Sequence, residues 1–349
     1  DVYKRQGYDV ATTGNHEFDF GYSNLQALME EADFPILAAN AEKDGANAVD
    51  GASTTFQLGD VTVGVFGLAT PETATKANPA NLDGVTFLAE DELFACAQEQ
   101  VDELTAAGCD YIIALGHLGI DAESTGNRSI DLLENVDGVD LFIDGHSHST
   151  QDDITAALTA ASQAGGNEIS VDSSMVNGTV LTSTGTKLES VGVVTIDGEA
   201  GRIDASTVSA ASLTDEDADV AARAAAIQKE IDDEYGTVFA KTEVALNGER
   251  EPGNRTEETN LGDLITDALV WGAEREGTEV DAAVTNGGGI RASIAAGDIT
   301  KKDINTVLPF GNTLSIVQVT GAELLEALEA STYCTPTSIG GFPQVSGIE

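Results

Sequence analysis

From residue 7 to about 205, short apolar runs alternate with amphipathic stretches. Residues 8–12 and 35–39 have the apolar character of strands, and residues 23–32 between them have helical spacing with Ser23 as N-cap. The run 54–58 and the longer Val61–Leu68 are joined by Gly59-Asp60, a hairpin signal. Apolar positions over 90–107 recur at helical intervals, and Gly108 stops that helix. Strands starting at Tyr111 and Leu141 flank a short helix near 129–134, and later strands lie near 180–183 and 190–196. Strands alternating with helices predict an α/β fold, and the hairpin predicts a mixed, layered sheet.

The pattern then changes. Residues 213–235 are polar, alanine-rich and helical in spacing, which suits a connector better than a core helix. Past Gly236 a second α/β unit begins, with a helix over 261–276, strands over 280–285 and 314–319, and a helix over 322–330. The expected domains are therefore 7–205, a linker helix within 206–236, and 237–349. Residues 1–6 carry no pattern that joins them to the rest of the chain and read as an adapter artefact.

Charge narrows the partners. The chain has 60 acidic residues against 16 basic ones, a net charge of −44. Such a field repels nucleic acid and anionic membrane, so neither is expected as a partner. It also opposes phosphorylated substrates at long range unless metal ions and local arginines reverse its sign. The acids are spread along the chain, as a solubility device in salty surroundings would be. Three cysteines, Cys96, Cys109 and Cys334, are too few and too scattered for a disulfide framework or a metal cluster. No apolar run is long enough to span a bilayer.

All four histidines come after a glycine-bearing turn at the end of an apolar run: His16 in Gly14-Asn15-His16-Glu17-Phe18-Asp19, His117 after Gly116, and the pair in Gly145-His146-Ser147-His148. Loops past the carboxyl ends of strands are where α/β proteins keep their chemistry. Asn15 offers a carboxamide oxygen to a metal. His16 can face substrate while Asp19, three residues on, takes its other ring proton. In an extended segment His146 and His148 would lie on one side, as ligands of one cation or of two about 3.5–4 Å apart. His117 alone is a weak signal and gains weight only as the last histidine at another strand end. In the second unit Gly287-Gly288-Gly289 leaves an apolar strand and delivers Arg291, whose guanidinium can fork onto phosphate. Glycine backbone there can approach a ligand closely. Arg255 is another scarce base, ahead of a helix. Phe310, between Pro309 and Gly311, is either a core plug or a ring for stacking on a base.

Gly-Asn-His-Glu-Phe-Asp, Gly-His-Ser-His, Asn-Gly-Gly-Gly-Ile-Arg and Leu-Pro-Phe-Gly-Asn, in this order, resemble the 5′-nucleotidase family over nearly all of residues 7–349. The resemblance implies a layered α/β/β/α metallophosphoesterase domain followed by that family's C-terminal substrate domain. It implies that Asn15, His117 and His146 ligate one metal and His148 another, with His16 and Asp19 as the catalytic dyad. Arg255, Asn286 and Arg291 would bind the phosphate or ribose side of a nucleotide, and Phe310 would be one of two rings sandwiching the base. The family's Asp-x-His and bridging aspartate belong upstream of Gly7, and its second stacking ring belongs beyond Glu349. The chain is thus expected to be an internal fragment, truncated at both ends and lacking part of the metal site.

The reaction so implied is hydrolysis of nucleoside 5′-phosphates with two divalent metal ions, zinc, manganese or similar. Hydroxide held on the metals attacks phosphorus, and the His16–Asp19 pair stabilises the developing charge. Related esterases acting on 2′,3′-cyclic nucleotides, nucleotide sugars or a sulfur-oxidation thiol ester would share the scaffold. A non-catalytic metal-loaded binding protein would share it too, though it would need neither His16 nor Asp19. A periplasmic, secreted or cell-surface location goes with the family and suits the acidic surface.

Overall fold

The computed structural model describes residues 2–163, 169–170 and 175–348. The chain divides into two compact units, Asp1–Ala221 and Ala222–Glu349; Asp1 and Glu349 themselves, at the edges of the expected segments 1–6 and 237–349, lie outside the described residues. Residues Val2–Gln6 form a short helix with no buried side chain.

The first unit is organised by a seven-stranded mixed sheet. Four of its strands, Val61–Leu68, Tyr111–Gly116, Leu141–Ile143 and Thr179–Thr182, run parallel and adjacent in that order. Ser53–Leu58 joins one edge as the other arm of the Gly59-Asp60 hairpin, with Leu58 opposite Val61. The helix Asp91–Ala106 buries Leu93, Ala97, Val101 and Leu104, a stripe at spacings of three and four. That stripe packs with Phe66, Leu68, Ile112, Ala114 and Phe142 of the sheet. Each buried leucine there contributes roughly 1.5–3 kcal/mol. Gly108, at φ +85°, takes the left-handed position that ends the helix. The opposite face of the sheet packs Ile113 and Leu115 against Leu37, Val63 and Val65. Alternation along Tyr111–Gly116 therefore feeds two layers from one strand.

Several expected boundaries move. The strands expected over 8–12 and 35–39 shrink to Ala11–Thr12 and Ile36–Leu37, which pair in parallel. The helix between them begins at Tyr22 with Gly21 as N-cap, so Ser23 sits inside its first turn. The buried Tyr22 hydroxyl donates to the Ala48 carbonyl at 2.8 Å, which fixes where that helix starts. A helix over Gln151–Gln163 has no counterpart among the elements expected from sequence. Within the expected linker 206–236, Ala218–Tyr235 is α-helical and Ala210–Ser212 makes a single 3-10 turn. Residues 206–209 of that span belong to the strand Arg202–Ser209, paired antiparallel with Ser190–Asp197. Ile203 and Ala205 there are partly covered between exposed neighbours, a strand-like spacing of two.

The second unit holds the helix Asn260–Arg275, capped by the Thr259 hydroxyl accepting from the Gly262 amide at 3.0 Å. Ala283–Asn286 pairs antiparallel with Pro343–Ser346, and Val238–Thr242 with Gly297–Thr300. Leu246, Leu261, Ile265, Ile290, Ile294, Ile299 and Val307 make its core. The strand expected over 314–319 is not formed: Leu314, Ile316, Val317 and Val319 are exposed, and no ladder among the described residues includes them. Apolar alternation makes a strand only where a neighbour supplies hydrogen bonds. Among the described residues no helix is long and apolar enough to cross a membrane.

Candidate active site

Three parallel strands end beside one another, and each hands over to a polar loop. Val61–Leu68 leads to Glu72, Tyr111–Gly116 to His117, and Leu141–Ile143 to Asp144-Gly145-His146. The Asn15 loop leaves the short Ala11–Thr12 strand in the same way. The His117 ring is held between two of these loops: a Cβ added to Gly14 would sit 2.7 Å from its Nε2, and one added to Gly145 would sit 3.0 Å from its Nδ1. A side chain at Gly14 would displace the imidazole, and one at Gly145 would crowd it. The rings of His117 and His146 have centroids 5.1 Å apart. Burial, with the neighbouring imidazoles of His146, His16 and His148, pushes His117 down to about 3. The ring is therefore neutral at ordinary pH and keeps a lone pair, as a metal ligand must.

Asn15 is buried, and its Oδ1 has no hydrogen-bond donor. Leaving a buried acceptor unsatisfied costs roughly 1–3 kcal/mol, and a carboxamide oxygen so placed fits a divalent cation. Beside it, His16 Nδ1 lies 2.8 Å from Asp19 Oδ2, with the His16 side chain 47% exposed. The Gly14 amide donates to Glu17 Oε2 at 2.6 Å, and Asn81 Nδ2 donates to the Asp19 carbonyl at 2.6 Å. The acidic pair partner of His16 is thus braced from the short helix Pro79–Leu82.

Asp144 and Glu72, which no sequence motif singles out, organise the histidine loops. Asp144 Oδ1 accepts from the amides of Leu118 at 3.0 Å, Gly119 at 3.1 Å and Gly145 at 2.8 Å. One carboxylate oxygen therefore ties the segment after His117 to the segment before His146. Burial raises the Asp144 carboxyl above its usual range, against the pull of these donors and the Ser129 hydroxyl. Glu72 Oε2 lies 2.8 Å from His146 Nε2 and 2.9 Å from Lys76 Nζ. Lys76 in turn reaches Glu123 at 3.0 Å. Burial pushes Glu72 up, but the hydrogen bonds from His146 and Lys76 outweigh it and hold the carboxyl at about 2.

The extended geometry expected for His146 and His148 is not what forms. Both lie in the left-handed region, at φ +73° and +59°. The Ser147 amide donates to the Gly145 carbonyl at 2.9 Å, closing a three-residue turn on His146. His148 is exposed, while His146 turns its Nε2 onto Glu72. Among the described residues no three His, Cys, Asp or Glu side chains are arranged to enclose a cation by themselves. What is gathered is the pair of His117 and His146 rings, with His16 and His148 in electrostatic reach of His117 and the Asn15 loop packed against the His117 ring through Gly14.

In the second unit, the triple glycine packs against the chain's own backbone and not around an open space. A Cβ on Gly287 would fall 1.8 Å from the Asn254 carbonyl oxygen, and one on Gly288 would fall 2.9 Å from Gly340 Cα. The Gly287 amide donates to Phe342 O at 2.7 Å, and that of Gly288 to Gly340 O at 2.8 Å. This close approach brings the turn leading to Arg291 against the Asn254 backbone, next to Arg255. The Arg291 guanidinium stands 5.5 Å from the centre of the Phe310 ring and donates to the Gly288 carbonyl at 3.2 Å. Asn286 is exposed, its Nδ2 donating to Gly340 O at 3.3 Å. Arg255, Arg291 and Phe310 are half-buried.

A family model described as "5′-nucleotidase, C-terminal domain" matches residues 238–349. The crystal structure of a 5′-nucleotidase precursor from Thermus thermophilus superposes with a TM-score of 0.78 at 30% identity, over 99% of this chain and 67% of that one. The chain belongs to the 5′-nucleotidase family. A trifunctional nucleotide phosphoesterase of Bacillus subtilis is 32% identical over 98% of this chain. The 5′-nucleotidase of Bos taurus is 31% identical over the same share. This chain spans 24% and 60% of the lengths of those two relatives. Glu72 and Asp144 escape detection in the sequence of this 5′-nucleotidase-family chain for different reasons. Glu72 lies four residues past an apolar strand, the same signal that marks the histidines, but it is one acid among 60. Asp144 reads as the last residue of the apolar run before it.

Proposed function

We propose that the protein hydrolyses nucleoside 5′-phosphates with the help of divalent cations. The observation that carries this reading is the pairing of the His117 and His146 rings, with centroids 5.1 Å apart and His117 kept neutral by burial; the buried, donor-free Asn15 oxygen on the loop that packs against His117 supports it. Asn15, His117 and His146 would hold one cation, with His148 contributing to another. Zinc, manganese or a similar ion would supply Lewis acidity toward the phosphoryl oxygens. His16, hydrogen-bonded to Asp19, stabilises charge as it develops on phosphate or protonates the leaving alkoxide. Asp19 accepts from Nδ1–H and orients the ring for the substrate. Asp144 keeps the two histidine loops in register. In the second unit Arg291 and Arg255 offer fixed positive charge to the nucleotide, Asn286 offers a carboxamide, and Phe310 offers a ring face to the base. The domains proposed for these tasks are 7–205 and 237–349, joined through a linker in 206–236. Relatives that include a snake-venom 5′-nucleotidase favour an exported protein.

The test is phosphate release from AMP, UDP-glucose and a 2′,3′-cyclic nucleotide, with and without a chelator. AMP turnover should vanish on chelation and return with added manganese or zinc. AMP turnover that ignores the chelator would sink the reading. The match to a trifunctional nucleotide phosphoesterase favours a second, broader reading in which the cyclic nucleotide is cleaved as well.

A further inference from the structure

We propose that Glu72 is a positioning residue for His146: its carboxylate accepts a hydrogen bond from Nε2–H, so that Nδ1 is left to present its lone pair to a divalent cation. The proposal rests on the cation-dependent reading above and adds a residue to it.

The contact joins residues 74 apart in sequence, from loops that leave two different parallel strands, at 2.8 Å. Only 10% of the His146 side chain and 14% of the Glu72 side chain are exposed, so water does not compete freely for either group. An ionised carboxylate can only accept. Nε2 must therefore be the protonated nitrogen, and in the neutral imidazole that leaves Nδ1 as the sole donor of an electron pair. Metal-ligating histidines commonly spend their other nitrogen in this way, which fixes the tautomer and raises the basicity of the ring.

Two alternatives for Glu72 are weaker. It occupies the N-cap position of the Thr73–Lys76 turn, yet its side chain makes no capping hydrogen bond. It also pairs with Lys76 at 2.9 Å, but Lys76 has a second carboxylate, Glu123, at 3.0 Å. Meanwhile His146 sits at φ +73° in a tight turn, a backbone state that a non-glycine residue holds only when its surroundings over-determine it. The Glu72 hydrogen bond on one side and the Asp144–Gly145 hydrogen bond at 2.8 Å on the other supply that constraint.

The test uses the whole chain with 15N-labelled histidine. Long-range 1H–15N correlation spectra assign the tautomer of each of the four rings, His146 being identified by its loss in His146→Gln. Zinc affinity is measured by calorimetry on the parent, Glu72→Gln and Glu72→Asp proteins, each checked for folding by circular dichroism. The parent should show His146 protonated at Nε2. Glu72→Gln should weaken zinc binding by about 10–100-fold. Glu72→Asp, which keeps a charge near Lys76 but draws it back from the ring, should weaken it comparably. A His146 ring protonated at Nδ1 in the parent overturns the proposal, as does unchanged zinc affinity in both folded variants. A parent that binds no zinc overturns both this proposal and the cation-dependent reading. A parent that binds zinc while the variants bind it equally well overturns the role of Glu72 alone.

Discussion

The histidine loops of the first unit and the arginine loops of the second solve different problems. Imidazole and carboxamide work as donors only while a lone pair stays open. The first unit fixes its imidazoles through one ring nitrogen or by close packing: Glu72 lies on His146 Nε2, Asp19 on His16 Nδ1, and bare glycine backbone against the His117 ring. The arginines of the second unit are permanently charged and need only to be placed. Their placement comes from glycine turns packed backbone on backbone, with Phe310 beneath Arg291. The first region should therefore respond to proton chemistry, and the second to steric change. That contrast can be broken at several points.

The largest effect is expected at His16. His16→Ala removes the half-exposed ring next to Asp19 without opening the core. Turnover of a nucleoside monophosphate should fall by about 10²–10⁴-fold, with KM nearly unchanged. Steady-state kinetics decide it, and turnover near that of the parent would remove His16 from the chemistry.

Next comes Gly287→Ala. The added methyl would meet the Asn254 carbonyl oxygen at 1.8 Å, a backbone atom that cannot swing away. Displacing that backbone should destabilise the second unit by about 3 kcal/mol or more. Thermal melting followed by Trp271 fluorescence, the chain's one tryptophan, reports on that unit. An unshifted transition would mean that the triple glycine is loose and not a packed turn.

Arg291→Ala should act on binding more than on chemistry. Losing the guanidinium over Phe310 should raise KM for AMP about 10-fold or more while changing cleavage of a plain aryl phosphate little. Equal losses on both substrates would place Arg291 with the reacting groups and blur the division of labour.

Much of this is legible in the sequence because the signals are local. The helix Asp91–Ala106 and the strand Tyr111–Gly116 can be read from periodicity and from Gly108, within a residue or two of their ends. The convergence of His117 and His146 can be read from their strand-end positions. What stays hidden is tertiary. Period-two spacing suggests that His146 and His148 share a side, but Asp144 pulls Gly145 into a turn that no pattern announces. Leu314 to Val319 looks like a strand and lacks a neighbour to make it one. Glu72 is distinguished only by what the fold sets beside it.

The last effect is a pH dependence of the first unit, read in a window above the carboxyl range. In protein stripped by a chelator, His117 stays neutral down to about 3 when folded, against 6.5 as its ordinary value. Below pH 6.5 the unfolded chain takes up a proton at this ring and the folded chain does not. Stability present above that pH is therefore lost as pH falls toward 3, by about 1.4 kcal/mol for each pH unit from this group. Glu72, at about 2 when folded against 4.5, adds a loss of the same sign that sets in only near pH 4.5. Between about pH 6.5 and 5 the decline should thus be traceable to His117, and His117→Gln should flatten it while leaving the steeper fall at lower pH. If urea melts of the parent and His117→Gln proteins ran parallel through that window, the ring would be titrating freely in water. The idea that the first unit protects its lone pairs by burial would then fail at its best-placed residue.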